Sequence, residues 1–173
     1  MRSTFLLYFL AAFSTVAHGV QSHCSSDEDI VFSCSLAKSS KVISLCASKN
    51  LLKKPGYLTY RFGTVRKIEF EFPPSRKRAT SRFLFSHYFR SQTDRTELSF
   101  ENGDYAYSVF DLYEEDSKPK RSSGVSISRG KTQEVIELSC AKSVIANWYL
   151  IDGAVPCDEE DALSSCNYSD HPR

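Results

Sequence analysis

Hydrophobic and polar residues alternate along most of the chain beyond residue 60, as they do in strands that bury one face. Residues 67–72 alternate apolar with charged side chains, and residues 83–89 place three phenylalanines and His87 on one face. The same period recurs at 98–100, 105–109, 125–127 and 136–140. Aromatic and β-branched residues dominate these runs, as sheets prefer. The pattern predicts an all-β fold, an antiparallel β-sandwich or flattened barrel of about eight strands.

Turn residues separate these runs and predict successive hairpins. Asn102-Gly103 tolerates positive φ between two strands, and Arg129-Gly130 and residues 38–40 are suited to similar turns. The polar segment from Tyr113 to Ser123 predicts a long exposed loop. Helix is expected only as a turn or two within residues 141–150 and 159–164.

The N-terminus has the pattern of a secretory signal peptide. Arg2 precedes an apolar run from Phe5 to Val16, and the small-residue pattern Ala17-His18-Gly19 follows. The alternative is a membrane anchor, but the run is shorter than the roughly 20 residues that span a bilayer. We therefore predict a cleaved signal peptide over residues 1–22, with cleavage near Val20, and an exported protein, periplasmic or secreted. Residues 23–173 have the length of one domain.

All six cysteines lie beyond this segment, and an even number in an exported chain predicts disulfides: Cys24, Cys34, Cys46, Cys140, Cys157 and Cys166. Six cysteines permit 15 pairings. A hairpin turn near residue 40 would place Cys34 opposite Cys46, and Cys157 is close enough to Cys166 to staple a C-terminal loop. That leaves Cys24 with Cys140. The alternative is that one cysteine pairs between chains.

Without Arg2, the predicted mature chain has 21 basic and 21 acidic residues, and this balance favours neither nucleic acid nor an anionic membrane. Charge is nevertheless clustered locally, at Arg76, Lys77, Arg78 and Arg82 and in the acidic run 158–161. Such runs are usually solvated surface. The alternative for the basic cluster is contact with an anionic glycan or phosphate, and for the acidic run a weak calcium site or a patch for a cationic protein.

Motifs for catalysis are absent, and we predict a protein that is not an enzyme and that needs no cofactor and no metal. The sequence contains no Gly-x-Ser-x-Gly, no His-Glu-x-x-His and no phosphate-binding glycine loop. His87 lies in an aromatic strand and is expected to be structural. A hydrolase that uses two carboxylates is the third hypothesis, behind two binding functions. Tyr107 is a candidate binding residue, because tyrosine combines a large contact area with a polar tip, although core packing is its default role.

Several segments resemble a group of small exported bacterial β-sheet proteins with no established activity, namely residues 31–34, 42–48, 56–63, 103–107 and 123–125. The chain also resembles, more loosely, periplasmic lysozyme inhibitors, in which a loop with Ser-Gly followed closely by Tyr plugs the lysozyme cleft. Here Ser123-Gly124 is followed by Val125. This resemblance implies a protein partner, a lysozyme-like cell-wall hydrolase, at Ser123 and Gly124.

The leading hypothesis is therefore an exported binding protein of the bacterial envelope that inhibits such a hydrolase. The alternative is a structural or anionic-glycan-binding envelope protein in which Arg76, Lys77 and Arg78 contact the glycan.

Overall fold

The computed structural model describes residues 20–130 and 134–160. These residues form nine antiparallel strands in one sheet that curls into a half-barrel. The strands are β1 (Glu28–Leu36), β2 (Lys41–Ser48), β3 (Leu58–Thr64), β4 (Lys67–Phe72), β5 (Leu84–Arg90), β6 (Thr93–Asn102), β7 (Tyr105–Glu114), β8 (Arg121–Arg129) and β9 (Val135–Ala146). The predicted all-β, antiparallel class is confirmed, with nine strands for the expected eight.

The sheet has two halves that share β9. The strand order is β4-β3-β2-β1-β9-β8-β7-β6-β5. The first part of β9 pairs with β8, from Val135 opposite Ser128 to Ser139 opposite Gly124. Its second part pairs with β1 and ends with Ala146 opposite Phe32. Because one strand belongs to both halves, the sheet can fold over on itself without breaking its hydrogen-bond ladder.

Aromatic side chains fill the space between the two halves. The Phe72 ring of β4 stacks on the Phe100 ring of β6 with centroids 4.4 Å apart. Phe32 of β1 packs on Trp148, which lies in a short 3-10 turn after β9, with centroids 5.4 Å apart. Phe32, Phe72, Phe100 and Trp148 are all buried, and burial of a large apolar side chain contributes about 1.5–3 kcal/mol. This core holds the curled sheet closed.

The predicted hairpin turns are present. Asn102 pairs with Tyr105, and Gly103 between them has φ +62°, a conformation that favours glycine. Gly130, with φ +51°, follows the end of β8. The turn at 37–40 joins β1 to β2. Local turn chemistry therefore identified these connections.

Two predicted irregular segments are strand instead. Ordered pairing of β7 with β8 extends from Tyr105–Arg129 to Tyr113–Arg121, so the predicted loop from Tyr113 to Ser123 shortens to residues 115–120. In the stretch 141–150, where a turn or two of helix was expected, residues 141–146 continue β9 and Trp148–Leu150 forms a 3-10 turn. Most of the other expected helical stretch, 159–164, lies outside the described residues. Pairing with β1 overrides local helix preference there. None of the described residues lies in a helix long and apolar enough to cross a membrane.

The disulfide pairing differs from the prediction. The structure joins Cys24 to Cys46 and Cys34 to Cys140. In the β1–β2 hairpin Cys34 lies opposite Ile43, so Cys34 faces the core with Ile43 while Cys46, three residues further along β2, faces the other side of the sheet. The predicted Cys34–Cys46 pair was therefore wrong, because it assumed a different register.

The predicted Cys24–Cys140 pair was wrong for the same reason. Cys46 points to the outer face, where the N-terminal segment crosses β2 and the His23 N–H donates to Ser44 Oγ at 3.0 Å, so its sulfur meets Cys24. Cys34 points inward and meets Cys140 on β9, whose pairing partner Leu36 is two residues from Cys34.

The C-terminal segment covers part of one edge of the sheet. The Phe85 N–H of β5 donates to Pro156 O at 2.8 Å, and the Asp158 N–H donates to Phe85 O at 2.9 Å. Cys157 lies between these two residues and is disulfide-bonded. Cys166, its predicted partner, lies outside the described residues.

Candidate functional site

The basic cluster lies on the exposed connection between β4 and β5. The guanidinium carbon of Arg76 is 4.2 Å from the ring centroid of Tyr57, which ends the loop between β2 and β3. Lys54 precedes Tyr57 by three residues, so their Cα atoms are at most about 11 Å apart. The two loops therefore form one surface, which we call the basic end: Lys53, Lys54, Arg76, Lys77 and Arg78.

A buried ion pair between Glu28 and Arg61 lies beneath this surface and is hydrogen-bonded to Tyr57. The Glu28 carboxylate accepts hydrogen bonds from Arg61 at 2.6 and 3.0 Å and from the Tyr57 hydroxyl at 3.1 Å. Burial by itself raises the pKa of Glu28, but the bonds from Arg61 and from the Ser25 N–H outweigh it, and the pKa falls to about 2. Arg76 Nη2 lies 3.9 Å from the same carboxylate. Glu28 is thus ionised and already has cationic partners.

The remaining cations of the basic end are exposed. Among the described residues, no carboxylate lies within ion-pair distance of Lys53, Lys54, Lys77 or Arg78. The segments that meet at this end, 27–29, 49–61 and 71–78, contain seven cations and four carboxylates. Although the whole chain is nearly neutral, this end has a surplus of positive charge.

Arg82 connects the basic cluster to a cleft. Its guanidinium carbon lies 5.5 Å from the Phe72 ring centroid. It lines an open cleft of about 510 Å³ together with Tyr107 of β7 and the carboxylates Asp158 and Glu160. The structure therefore brings Tyr107 near Arg82, whereas Arg76, Lys77 and Arg78 lie on the connection that leads to it.

Tyr107 belongs mainly to the aromatic core. Its ring stacks on Phe100 with centroids 4.8 Å apart and on Phe70 with centroids 5.5 Å apart. Burial raises the pKa of its hydroxyl, and the neighbouring Tyr105 raises it further. Tyr107 is half-buried, so it offers a ring edge and a neutral hydroxyl, rather than a flat ring, to a ligand in the cleft.

Ser123 and Gly124 do not lie on an exposed loop. Both are buried inside β8, and the Ser123 hydroxyl donates to Asp111 Oδ1 at 2.7 Å. A Cβ added at Gly124 would lie 2.4 Å from the Leu138 carbonyl oxygen of β9, so glycine is needed for the strands to approach. Neither residue can reach a partner protein in this conformation.

Asp111 is a buried polar residue that no motif in the sequence marks. It lies on the concave face of β7, where it accepts hydrogen bonds from Ser123, from Arg121 Nε at 3.0 Å and from Trp148 Nε1 at 3.4 Å. The sequence does contain one indication of its role. Asp111 lies on the same face of β7 as Tyr107 and the buried Val109, and a carboxylate at such a core position needs partners. These bonds tie the 3-10 turn to β7 and β8.

His87 is buried in β5, and its Nε2 lies 2.9 Å from Asp94 Oδ1. No motif in the sequence places a carboxylate near His87. The β5–β6 hairpin does so, because it sets Asp94 opposite Phe89, two residues along from His87 on the same face. Ser123 belongs to a separate cluster around Asp111. His87 of β5 pairs with Thr96 of β6, and Thr96 pairs with Asp111 of β7, so one strand lies between His87 and Asp111.

One group of metal-ligand residue types occurs among the described residues, namely Cys24, Glu28 and Cys46. Its two sulfurs are joined in a disulfide, and Glu28 is bonded to Arg61. Since only a thiolate binds a metal ion well, this group does not form a metal site as it stands.

Comparisons with known proteins add no identity: no protein-family model, no curated protein and no solved structure matches this chain. The resemblances to small exported bacterial proteins and to lysozyme inhibitors stay predictions. The candidate site is therefore defined by geometry alone. It comprises the basic end, with its exposed cations, and the adjoining cleft.

Proposed function

We propose that this is an exported protein that acts by binding, and that its ligand is an anionic glycan held at the basic end. The observation that supports the proposal is the set of exposed cations Lys53, Lys54, Lys77 and Arg78, which have no ion-pair partner among the described residues. Such a surplus of one sign attracts a ligand of the other sign.

The spacing of these cations favours a polymer over a single small anion. They lie on two different loops, which meet through Arg76 and Tyr57. A site for one phosphate instead gathers backbone N–H groups around a small concavity. A chain of anionic sugars can contact both loops at once.

The adjoining cleft supplies contacts suited to uncharged parts of such a ligand. The Tyr107 hydroxyl and the carboxylates Asp158 and Glu160 are hydrogen-bonding groups for sugar hydroxyls, and Arg82 adds a cation. Two disulfides among the described residues fit a protein that works outside the reducing cytosol. The predicted signal peptide gives the route of export.

The hydrolase-inhibitor hypothesis would need a different surface from the one that the resemblance implied. Ser123 and Gly124 are buried in β8, and the nearby exposed turn comprises only residues 115–120. We therefore place the anionic-glycan hypothesis first, and a lysozyme inhibition assay on the purified protein tests the other.

The experiment is a titration of the disulfide-intact protein with a sulfated glycan such as heparin as the probe, measured by calorimetry. We expect binding that weakens as salt rises, because exposed charges are screened within about 10 Å at 0.1 M salt. The double reversals K53E/K54E and K77E/R78E should each lower the affinity about tenfold or more, since each replaces attraction by repulsion.

The matched control is the double reversal K38E/K118E, which makes the same change of charge on exposed turns elsewhere. It should leave the affinity within about twofold, because these charges lie on other turns. Equal losses in the control and in the basic-end variants, or no binding of the wild type at low salt, would contradict the proposal. Neutral dextran should not bind.

A further inference from the structure

An apolar cavity of about 180 Å³ adjoins the basic end. It lies between the β2–β3 loop and the 3-10 turn that follows β9, and its apolar walls are Ala47, Leu51, Leu52 and Leu150. A cavity of about 150 Å³ with apolar walls binds benzene in another protein. The cavity beside the basic end therefore has room for an apolar segment of about six carbon atoms.

The β2–β3 loop leaves one wall of this cavity open to solvent. The Lys53 N–H donates to Asn50 O at 2.9 Å, which closes a tight turn with Leu51 and Leu52 at its centre. Leu51 turns inward and has 8% of its surface exposed, whereas Leu52 has 53% exposed. A single exposed leucine is ordinary on a protein surface. Leu52 is distinguished by its position, because it forms the accessible wall of an apolar cavity.

Cations lie at the mouth of the cavity. Lys53 lines it, and Lys54 follows directly in the chain. Asp29 lines it too, but its carboxylate is bonded to Lys49 Nζ at 2.6 Å. Apolar walls beside exposed cations are complementary to a molecule that joins an acyl chain to an anionic group, since each part then meets a matching surface.

We propose that the anionic glycan of the basic end is part of a glycolipid, whose acyl chain enters this cavity while its charged groups contact the cations. The inference rests on the glycan binding proposed above and names the class of that ligand. Lys53 belongs both to the cavity and to the basic end, so a chain seated in the cavity brings its head group to Lys53 and Lys54. The further cations Lys77 and Arg78 suit a head group with several negative charges, rather than the single carboxylate of a fatty acid.

The test compares a heparin hexasaccharide with the same hexasaccharide carrying an octyl group at its reducing end. Each is titrated into the disulfide-intact protein by calorimetry, at concentrations below micelle formation. We expect the octyl form to bind at least about tenfold more tightly, because the cavity removes apolar carbon from water. Its binding should also have the more negative heat-capacity change, which is the marker of apolar burial.

The variant Leu52→Asn removes the accessible apolar wall without a change of charge. It should abolish most of the gain from the octyl group and leave the affinity for the plain hexasaccharide within about twofold. The matched control is Val65→Asn in the β3–β4 turn, because Val65 is also 53% exposed and also precedes two cations, Arg66 and Lys67. This control should leave the affinity for both forms within about twofold.

Equal affinities for the two forms of the hexasaccharide, or equal effects of Leu52→Asn and Val65→Asn, would overturn the proposal. So would octyl glucoside, which has no charge, if it bound as tightly as the octyl hexasaccharide. If the plain hexasaccharide binds and the octyl group adds nothing, the acyl chain is excluded while glycan binding at the basic end stands. If neither form binds, the proposed function fails as well.

Discussion

The two halves of the sheet each bury a carboxylate bonded to an arginine, but the arginines differ in exposure. In the first half Glu28 has no exposed side-chain surface, and its partner Arg61 has 6%. In the second half Asp111 is 2% exposed, whereas Arg121 is 58% exposed. The first pair is closed to water on both sides, and the second has one member in solvent.

The difference follows from what covers each face. Glu28 and Arg61 lie on the outer face, beneath the N-terminal segment, whose His23 carbonyl accepts from Arg61 Nη1 at 3.1 Å. The disulfide from Cys24 to Cys46 fixes that segment. Asp111 faces the concave side. Ser123 and Trp148 donate to it, as Tyr57 and the Ser25 N–H donate to Glu28, so the two carboxylates differ mainly in the exposure of their arginines. How much a buried charge depends on its partner is thus decided by the exposure of both members of the pair.

The largest expected effect is that of Arg61→Met. It leaves Glu28 buried without its main cation, and removing one partner of a buried pair typically costs about 3–5 kcal/mol. Urea unfolding followed by circular dichroism measures the free energy of unfolding. A loss below about 1 kcal/mol is what an exposed ion pair would give. Such a result would contradict the conclusion that Glu28 and Arg61 form a pair closed to water.

Acid should lower the free energy of unfolding, because it protonates the Glu28 carboxylate. Its pKa is lowered to about 2 from the ordinary 4.5, so the native state holds the carboxylate ionised more strongly than the unfolded chain does. The resulting stability, about 3 kcal/mol, is fully present above pH 4.5 and is lost as the pH falls towards 2. Unfolding measured between pH 6 and 2 should show this loss in the wild type and a smaller loss in Arg61→Met. Equal pH profiles of the two proteins would count against it.

The smallest effect is expected for Arg121→Met. Because Arg121 reaches Asp111 from the solvent side, water can take its place at the carboxylate, and Ser123 and Trp148 still donate to it. The loss should therefore be about 0.5–1 kcal/mol. The same urea assay compares it with Arg61→Met. If Arg121→Met costs as much as Arg61→Met, exposure of the partner is not what separates the two halves.

Strand positions were predictable from the sequence because alternation is a local property. The run from Ile68 to Phe72, the strand containing Phe85, and the hairpin at Gly103 are all present. Asp111 had a local signal too, since it keeps the phase of the buried Val109. The exposed basic residues Arg76, Lys77 and Arg78 were identified from composition, but their contact with the β2–β3 loop through Tyr57 was not.

Register and long-range contacts were not predictable in the same way. The pairing of Cys34 with Cys140 joins residues 106 positions apart, and it depends on which strands adjoin β9. Ser123 looked like part of a loop because its neighbours are polar, yet its hydroxyl is bonded to Asp111 on the adjacent strand. A polar residue in a strand resembles a loop residue until its partner is known.

By itself, the sequence determined the all-β class, most strand positions and the hairpin turns, because side-chain periodicity and turn preference act over a few residues. Tertiary structure alone decided the disulfide partners, the burial of Ser123 and Gly124, the closed Glu28–Arg61 pair and the joining of two loops into the basic end. These features depend on strand register and on the curl of the sheet, and a shift of one residue in register moves every side chain of a strand to the opposite face.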